Sequence, residues 1–391
     1  MVALLITNAG SDVRAEAPRR DTLRIATYNA SLYRAEPGEL FRDLTTGKHA
    51  QIRDIAAVIQ RVQPDVLLIN EFDYDARSPD LFQRNYLAIA QRDGTPIQFA
   101  NHFIAPSNTG IPSGLDLDRD GRIGGGNDAL GFGRFPGQYG MLVLSNLPID
   151  HAATRTFRRF LWRDMPGALL PPGWYDSAAL DVLPLSSKSH WDVALQWGKT
   201  RLHLLASHPT PPGFDGPENR NGRRNHDEIR LWADYLDRAQ GAYLIDDVGG
   251  RGALDPEAHF VIVGDLNADP EDGGSLPGAI DRLLHHPRVH REAAVGALAP
   301  RSLGAVRAAA VQGGLNITQR SRPEHDTADF GDRGENAPGN LRVDYVLPSA
   351  TLTVCASGVE WPVQASADDP SFASDHRLVW VDVALPGDVC R

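Results

Sequence analysis

Residues 51–71 read QIRDIAAVIQRVQPDVLLINE, and this stretch decides the fold class. Apolar residues recur at helical spacing through its first half, and Pro64 prevents that helix from continuing. The apolar run 66–69 is short and has the character of a buried core strand, which ends at Asn70 and Glu71. A helix leading directly into a core strand that carries polar groups at its end predicts an α/β protein.

The rest of the chain repeats this pattern of short strands with few helices. Residues 23–29 alternate between two faces as a strand does, and residues 225–239 carry an apolar helical face. Such a mixture predicts two sheets packed face to face and covered outside by helices. Further short strands are predicted at 141–144, 191–197, 201–207, 260–264, 341–347 and 378–383.

Composition and charge narrow the class of protein. The 391 residues are 42% hydrophobic and 23% charged, which a packed globular protein needs and a disordered or fibrous chain lacks. No apolar run approaches the roughly 18 residues of a membrane span. The net charge of -11 disfavours a general nucleic-acid coat, because binding phosphates requires clustered Lys and Arg.

The chain shows no internal repeat and no linker, so we expect one domain over 21–387, acting as a monomer. Spans 108–137 and 312–340 are too long for plain connections and are predicted to be functional loops.

Residues 1–20 contain a short apolar run and a small-x-small triplet but no basic leader. They fit either the remnant of a secretory signal or a frayed N-terminus.

The two cysteines, Cys355 and Cys390, form no CxxC pair, which excludes a cysteine zinc site. Either one disulfide that ties down the C-terminus or two unconnected thiols fits the sequence. An oxidising compartment is the setting in which such a disulfide forms.

Polar residues recur at or just beyond the ends of the predicted strands. Each has an ordinary explanation as a turn former or a surface residue, but eight such positions favour a catalytic site. Hard oxygen ligands suit Mg²⁺ or Mn²⁺, and carboxylates with histidines suit metal-assisted attack of water on a phosphate ester. The eight residues are Asn29, Glu71, His208, Asp265, Asn267, Asp344, Asp375 and His376.

Seven short motifs in a fixed order resemble the endonuclease/exonuclease/phosphatase superfamily. The resemblance spans about 350 residues and implies a four-layer α-β-β-α sandwich of two packed mixed sheets, with the site at one end. Gly-Asp-x-Asn with a terminal Ser-Asp-His is the most specific part. The motifs are Ala26-Thr27-Tyr28-Asn29, Pro64-Asp65-Val66 with Asn70-Glu71, Tyr139-Gly140-Met141 with Leu144-Ser145, Ser207-His208-Pro209, Gly264-Asp265-Leu266-Asn267, Val343-Asp344-Tyr345-Val346-Leu347 and Ser374-Asp375-His376.

The resemblance implies roles for individual residues. Glu71 is the implied principal ligand of a catalytic Mg²⁺ or Mn²⁺ ion, with Asn29 and Asp375 nearby. Asp265 and Asn267 are implied to position the nucleophilic water and the scissile phosphate.

Two histidines complete the implied catalytic set. His376 is expected to pair with Asp344, and His208 to face it from the other side of the phosphate. Members of the superfamily differ in which residue is the general base, so that role is assigned jointly to His376 and Asp265. The sequence does not identify a carboxylate partner for His208.

Five further residues are candidate substrate ligands. Lys188 and His190 precede a strand where similar 5-phosphatases carry a phosphate-binding lysine, and they either read a second phosphate or form a solvated strand start. Arg220, Arg223 and Arg224 open the second helix and are either anion ligands or a solvated basic face.

The insertion before Tyr139 contains a sequence that resembles an EF-hand or dockerin calcium loop. Asp116, Asp118 and Asp120 alternate ahead of a glycine, and Arg122 follows at the position of a carbonyl ligand. The twelfth position is an asparagine, so we expect either weak binding or closure by Asp128. A solvated acidic turn is the alternative, and the fit of the spacing favours a structural Ca²⁺.

These observations predict a secreted or periplasmic, divalent-metal-dependent phosphoesterase. A small phosphorylated metabolite or a phospholipid head group is the expected substrate. An extracellular endonuclease of the DNase type is an alternative that the acidic balance disfavours, and a non-catalytic calcium-stabilised binding module is the alternative of another class. Residues 157–162 are candidates for an exposed aromatic cluster that would support a lipid substrate, with buried packing as the alternative.

Overall fold

The computed structural model describes residues 22–92, 94–331, 337–363 and 369–390. The expected leader, 1–20, lies outside the described residues. The strands are β1 (Thr22–Leu32), β2 (Val66–Phe72), β3 (Asn101–Phe103), β4 (Met141–Ser145), β5 (Arg155–Thr156), β6 (His190–Trp197), β7 (Thr200–Ser207), β8 (His259–Asp265), β9 (Ala328–Asp329), β10 (Asn340–Leu341), β11 (Asp344–Pro348), β12 (Thr353–Val359) and β13 (Val379–Ala384).

The α-helices are mostly short, and two of them cover the sheets. The longest is the amphipathic helix predicted near 225–239, which begins five residues earlier and ends three residues earlier than expected. The helices are α1 (Glu39–Thr46), α2 (Ala50–Val62), α3 (Ser78–Phe82), α4 (Ser177–Val182), α5 (Arg220–Leu236), α6 (Asp281–Leu284), α7 (Arg291–Ala294) and α8 (Leu303–Gln312).

Two mixed sheets form the centre of the fold. The first has the strand order β12-β13-β1-β2-β4-β3, and only the β1–β2 pair is parallel. The second has the order β11-β8-β7-β6-β5, and only β7–β8 is parallel. Strands β9 and β10 pair with each other in a small separate sheet, and Ala328 of β9 forms an isolated bridge with His376. The predicted α/β class with two mixed sheets is confirmed.

Alternating side chains sort the core into three layers, as the two-residue period of a strand requires. Ile25 of β1 packs with Leu204 of β7 between the sheets. Tyr28, on the other face of β1, packs with residues of α2, whereas Phe260 of β8 packs with Trp232 of α5. Helices therefore cover both outer faces, and the layers run α-β-β-α.

Local sequence explains where the first covering helix stops. Gln63 adopts a left-handed backbone with φ of 54° and donates its amide to the Ile59 carbonyl, which satisfies a carbonyl at the end of α2. Pro64 then directs the chain into β2. The predicted helix and strand of 51–71 are both confirmed.

The structure corrects one predicted strand and decides two alternatives that the sequence left open. The strand predicted at 341–347 is split, because Leu341 ends β10 and Asp344 begins β11. The aromatic cluster predicted at 157–162 is not exposed, since Phe157 and Trp162 are fully buried. The pairing of the two cysteines, which the sequence left open, is the disulfide Cys355–Cys390.

Within the described ranges, no helix has the length and apolar character needed to cross a bilayer.

Candidate active site

The ends of four central strands bring polar side chains to one end of the sandwich. Asn29 in β1 lies opposite Asn70 in the parallel strand β2, one residue before Glu71. Asp265 ends β8 and is paired in register with Asp344, which begins β11. Because the two sheets pack face to face, residues from both sheets meet here.

Gly264 allows β7 and β8 to come close enough for this arrangement. Its φ is +150°, and a Cβ atom at this position would lie 2.0 Å from the Ser207 carbonyl oxygen. Any side chain would therefore separate the strand that precedes His208 from the strand that ends at Asp265. The glycine of the Gly-Asp-x-Asn motif is required by packing.

The carboxylate of Asp265 is the centre of the site. Its Oδ2 accepts a hydrogen bond from Asn29 Nδ2 at 3.1 Å, and it lies 3.4 Å from His208 Nε2 and 3.7 Å from His376 Nε2. Burial acts against its ionisation, but the charge of His376 and the hydrogen bond from His208 hold the pKa of Asp265 below its ordinary range. Asp265 is therefore an ionised carboxylate between two imidazoles.

His376 is held by a second buried carboxylate. Its Nδ1 lies 2.8 Å from Asp344 Oδ2, which also accepts a hydrogen bond of 2.9 Å from Thr327 Oγ1. Burial opposes protonation, but the carboxylates of Asp344 and Asp265 raise the pKa of His376 well above its ordinary value. The expected pairing of His376 with Asp344 is present in the geometry, and the imidazole is cationic at neutral pH.

His208 faces Asp265 in the opposite protonation state. Burial, together with the charge of Lys188, lowers the pKa of His208 to about 4. Its Nδ1 is buried, and no hydrogen-bond partner for it is found among the described residues. The site thus combines a neutral and a cationic imidazole around one carboxylate, which separates acid from base.

Asn267 occupies a backbone conformation that suits an asparagine. Its φ is +52°, in the left-handed region where Asn is enriched. Its amide N–H donates to Asp265 Oδ1 at 2.9 Å, and its side-chain Nδ2 donates to the Pro209 carbonyl at 3.1 Å. The residue therefore fixes the Asp265 carboxylate and links it to the chain that follows His208.

Glu71 also has a left-handed backbone, with φ of +59°. Within the described part of the chain, no group donates a hydrogen bond to its carboxylate. Burial raises the pKa of Glu71 to about 7, and the charges of Asp375 and Asp265 act in the same direction. Asp375 accepts a hydrogen bond of 3.1 Å from Ser31 Oγ and lines the same cavity as Glu71. A half-buried carboxylate that receives no hydrogen bond from the described residues, near other carboxylates, suits a hard divalent cation.

Two adjoining cavities open from this cluster. The larger has a volume of about 710 Å³ and is lined by Asp265, Asn267 and His376. The smaller has a volume of about 410 Å³ and is lined by His208 and Lys188. Both are lined by Glu71, Tyr139, Pro211 and Phe214, so the two spaces meet at the proposed metal ligand.

The five predicted substrate ligands have different surroundings. Lys188 is 6% exposed and lines the smaller cavity, where its Nζ donates one long hydrogen bond of 3.4 Å to the Pro209 carbonyl. Arg220 lines the same cavity and pairs with Glu218. Arg224 also borders it, but its guanidinium donates to the carbonyls of three residues, which are Leu130, Pro184 and Leu185.

The remaining two lie away from the cavity linings. His190 Nε2 donates to the Glu228 carbonyl at 2.9 Å, Nδ1 lies 2.6 Å from Ser186 Oγ, and burial lowers the pKa of His190 to about 4. Arg223 Nε donates to the Glu218 carbonyl at 3.2 Å. These contacts support the loops that border the site.

Two residues without an assigned role in the sequence support the site. Asn70 Oδ1 accepts the backbone N–H of Asp265 at 3.1 Å, across the two sheets. The buried carboxylate of Glu228 accepts the backbone N–H groups of Ser187 and Thr210, each at 2.6 Å. Asn70 stands in a quoted motif, but nothing in the sequence around Glu228 distinguishes it from a surface acid of a helix.

The acidic loop of the insertion brings three carboxylates together. Carboxylate oxygens of Asp116, Asp118 and Asp120 lie within 4.8 Å of one another. Asp128 is buried, and its carboxylate accepts the backbone N–H groups of Leu117 at 2.6 Å and Gly124 at 2.8 Å. Asp128 thus closes the loop by hydrogen bonds to its backbone.

The chain is similar in sequence to one known protein family. A family model described as "Endonuclease/Exonuclease/phosphatase family" matches residues 26–376, which is most of the chain. No curated protein sequence matches.

Solved structures resemble the chain over nearly its whole length. An endonuclease/exonuclease/phosphatase from Beutenbergia cavernae DSM 12333 is 18% identical, with a TM-score of 0.52, covering 94% of this chain and 73% of that one. Sphingomyelinase C from Streptomyces griseocarneus is 16% identical (TM-score 0.45; 92% and 99% covered). Truncated TDP2 from Caenorhabditis elegans is 15% identical (TM-score 0.44; 93% and 98% covered). At these identities the first similarity supports the shared sandwich fold and no particular substrate.

Proposed function

We propose that this chain, which belongs to the endonuclease/exonuclease/phosphatase family, is a secreted or periplasmic hydrolase that cleaves phosphate esters by attack of water with the help of a divalent cation. The reaction class, hydrolysis of phosphoester bonds, comes with membership of the family. The observation that carries the proposed mechanism is the convergence of Asn29, His208 and His376 on one carboxylate oxygen of Asp265.

The residues present fit a catalytic divalent cation. Glu71 would be its principal ligand, because its carboxylate lines both cavities and receives no hydrogen bond from the described residues. Asp375 would be a second oxygen ligand, and Asn29, whose amide is engaged by Asp265 and Ser31, would lie beside them. When bound, Mg²⁺ or Mn²⁺ supplies positive charge that neutralises a phosphoryl oxygen and the leaving oxygen.

The chain's own residues have separate roles in proton transfer and in charge stabilisation. Asp265, kept ionised by its neighbours, orients the attacking water and accepts its proton. His376, kept cationic by Asp344, stabilises negative charge on the phosphate. His208 is neutral and can accept a hydrogen bond, while Asn267 holds the carboxylate of Asp265 in place.

A small phosphorylated metabolite or a phospholipid head group remains the proposed substrate. Lys188 supports this, because this buried cation lies beside the phosphate site and donates only one weak hydrogen bond among the described residues. An extracellular DNase is less well supported. Within the described lining of the larger cavity there is no Lys or Arg to track a nucleic-acid backbone.

We also propose that the loop at 116–128 binds a structural Ca²⁺. Three clustered carboxylates, the carbonyl of Arg122 and a turn closed by Asp128 support it. The loop belongs to the insertion that supplies a wall of the smaller cavity. Bound Ca²⁺ would neutralise the repulsion among the carboxylates and stiffen that wall.

Secretion is proposed on two supports. The disulfide Cys355–Cys390 is of a kind that persists in oxidising compartments. A calcium loop that lacks the bidentate glutamate of the twelfth position suits extracellular calcium concentrations.

The test compares wild type with Glu71→Gln on a phosphate diester and a phosphate monoester reporter. Both proteins are freed of metal by chelation and then given Mg²⁺, Mn²⁺ or Ca²⁺. We expect metal-restored hydrolysis in wild type and its loss in the variant, and the preferred ester identifies the enzyme as a phosphodiesterase or a phosphatase. A folded wild type that hydrolyses neither reporter under any metal condition would favour the non-catalytic binding module instead.

A further inference from the structure

The two cavities that meet at Glu71 differ in charge. Among the described residues, the lining of the smaller cavity includes three cationic side chains, Lys188, Arg220 and Arg224. The lining of the larger cavity, read over the same residues, has no Lys or Arg. Its polar groups are those of the catalytic cluster, nearby carboxylates and the hydroxyls of serine and tyrosine residues. A substrate that spans both would be polar or anionic at one end only.

The larger cavity has apolar walls from three separate segments. One wall is the segment 211–214, which ends at Phe214, and the others contribute Leu315 and Phe372. These side chains are 81%, 46% and 48% exposed, respectively. Large apolar groups that are exposed together around a groove mark a site for an apolar ligand, because water contact there is unfavourable.

Two further exposed apolar side chains lie close to Leu315 in sequence. Val311 near the end of α8 is 76% exposed, and Ile317, two residues beyond Leu315, is 77% exposed. The same cavity reaches Asp265 and His376 at its other side. The apolar walls and the catalytic cluster therefore line one cavity.

We propose that the larger cavity binds the hydrocarbon chain of an amphiphilic phosphate ester, whose phosphate lies at Asp265 and His376 and whose polar end faces Lys188 in the smaller cavity. This inference rests on the proposed function for the placement of the phosphate. It selects a lipid-like ester over a fully polar metabolite and over a nucleic acid. Along the described part of the larger cavity, a polyanion would find no Lys or Arg beyond the catalytic cluster that contains His376.

The test measures binding of n-alkylphosphonates, whose C–P bond cannot be hydrolysed at this site, by titration calorimetry in the presence of Mg²⁺. Butyl-, hexyl- and octylphosphonate are compared below their aggregation limits. Burying one methylene completely is expected to strengthen binding about fourfold, and half-burying it about twofold. From butyl to octyl, the dissociation constant should fall by between about 16-fold and about 250-fold.

A double variant, Phe214→Ser with Leu315→Ser, tests the walls. Both side chains are exposed, so the fold should tolerate the change. The control is Val248→Ser, because Val248 is 92% exposed and belongs to neither cavity. We expect the double variant to reduce the ratio of octyl to butyl affinity at least threefold, whereas the control keeps the wild-type ratio.

Equal affinity of wild type for butyl- and octylphosphonate, or no binding of octylphosphonate, would overturn the inference. So would an unchanged ratio in the double variant. Failure of the proposed function would give a different result. The affinity for alkylphosphonates would depend on chain length, but the protein would hydrolyse no ester. Hydrolysis without any dependence on chain length would refute the apolar site and leave the phosphoesterase standing.

Discussion

Replacing Asp344 by asparagine removes one negative charge from the site while changing its shape little. Asp344 Oδ2 lies 2.8 Å from His376 Nδ1, and both side chains are buried. Of the carboxylates that raise the pKa of His376, Asp265, at 3.7 Å, and Asp375 remain in the variant. Without Asp344, burial is opposed by less negative charge, so the pKa of His376 is lower than in wild type.

The expected size follows from the hydrogen bond that is weakened. A buried hydrogen bond to a charged partner contributes about 1.5–3 kcal/mol, so the cationic imidazole loses up to that much stabilisation. If that cation stabilises the transition state, kcat/KM falls roughly 10- to 150-fold. The hydroxyl of Thr327, 2.9 Å from Asp344 Oδ2, can still bond to an asparagine oxygen.

The sign of the pH effect can be worked out. In wild type, the raised pKa of His376 means that its contribution to stability is fully present below the unfolded pKa of about 6.5 and is lost as pH rises through the folded value. In Asp344→Asn that loss occurs at lower pH. Both the alkaline limb of kcat/KM and the stability should therefore move toward lower pH in the variant.

The assay is the pH profile of kcat/KM on the preferred reporter ester, alongside urea unfolding at several pH values. Asp192→Asn is the matched control, because Asp192 is equally buried and lies 2.7 Å from His203 Nδ1, away from both cavities. We expect the control to lose stability and keep its activity profile. A variant Asp344→Asn with kcat/KM within about threefold of wild type and an unmoved alkaline limb would refute the assigned role of the pair.

Four other changes probe the supports of the site. Asp118→Asn should abolish the rise in thermal midpoint that Ca²⁺ produces in wild type, where a concentration of 100 Kd stabilises by about 2.7 kcal/mol; an equal rise in both proteins would remove the calcium proposal. Glu228→Gln should weaken the bonds to two loop amides, lower the free energy of unfolding by about 1–3 kcal/mol and reduce kcat/KM, and a stable variant with full activity would contradict its positioning role. Replacing Cys355 and Cys390 by serine opens a crosslink of sequence separation 35, which should cost at most about 4 kcal/mol in urea unfolding and leave kcat/KM unchanged. Burial raises the pKa of Asp326 to about 8, so the native state holds a proton that the unfolded state releases near pH 4; Asp326→Asn should therefore raise the free energy of unfolding at pH 7 by about 2–4 kcal/mol, and a gain of the same size at pH 4 would exclude this cause.

The sequence predicts the central strands well because their period is strong and local. Residues 51–71 carry a helix, a proline and an apolar run in direct succession, and each part has one structural solution. The strand predicted at 341–347 fails where local pattern and tertiary pairing disagree. Asp344 must align with Asp265 in β8, and the chain before it leaves that sheet to pair Leu341 with Ala328 in β9.

The apolar walls of the larger cavity could not be predicted, because exposure is a property of the whole fold. Residues 157–162 are more aromatic in sequence than the segment around Phe214, yet Phe157 and Trp162 fill the core beside α5. Phe214, set among Pro, Gly and Asp, has no apolar neighbours in sequence and is 81% exposed at the mouth of the site.

The polar residues that support the site could not be predicted for the same reason. Glu228 reads as an ordinary acid of an amphipathic helix, but its partners are the amides of Ser187 and Thr210, 41 and 18 residues away. Those amides belong to the two segments that carry Lys188 and His208. A buried carboxylate that holds both segments therefore fixes the distance between the cation of the smaller cavity and the histidine at the phosphate site. Catalytic groups can be found from strand-end motifs, whereas the groups that set their spacing become visible only when the strands are assembled.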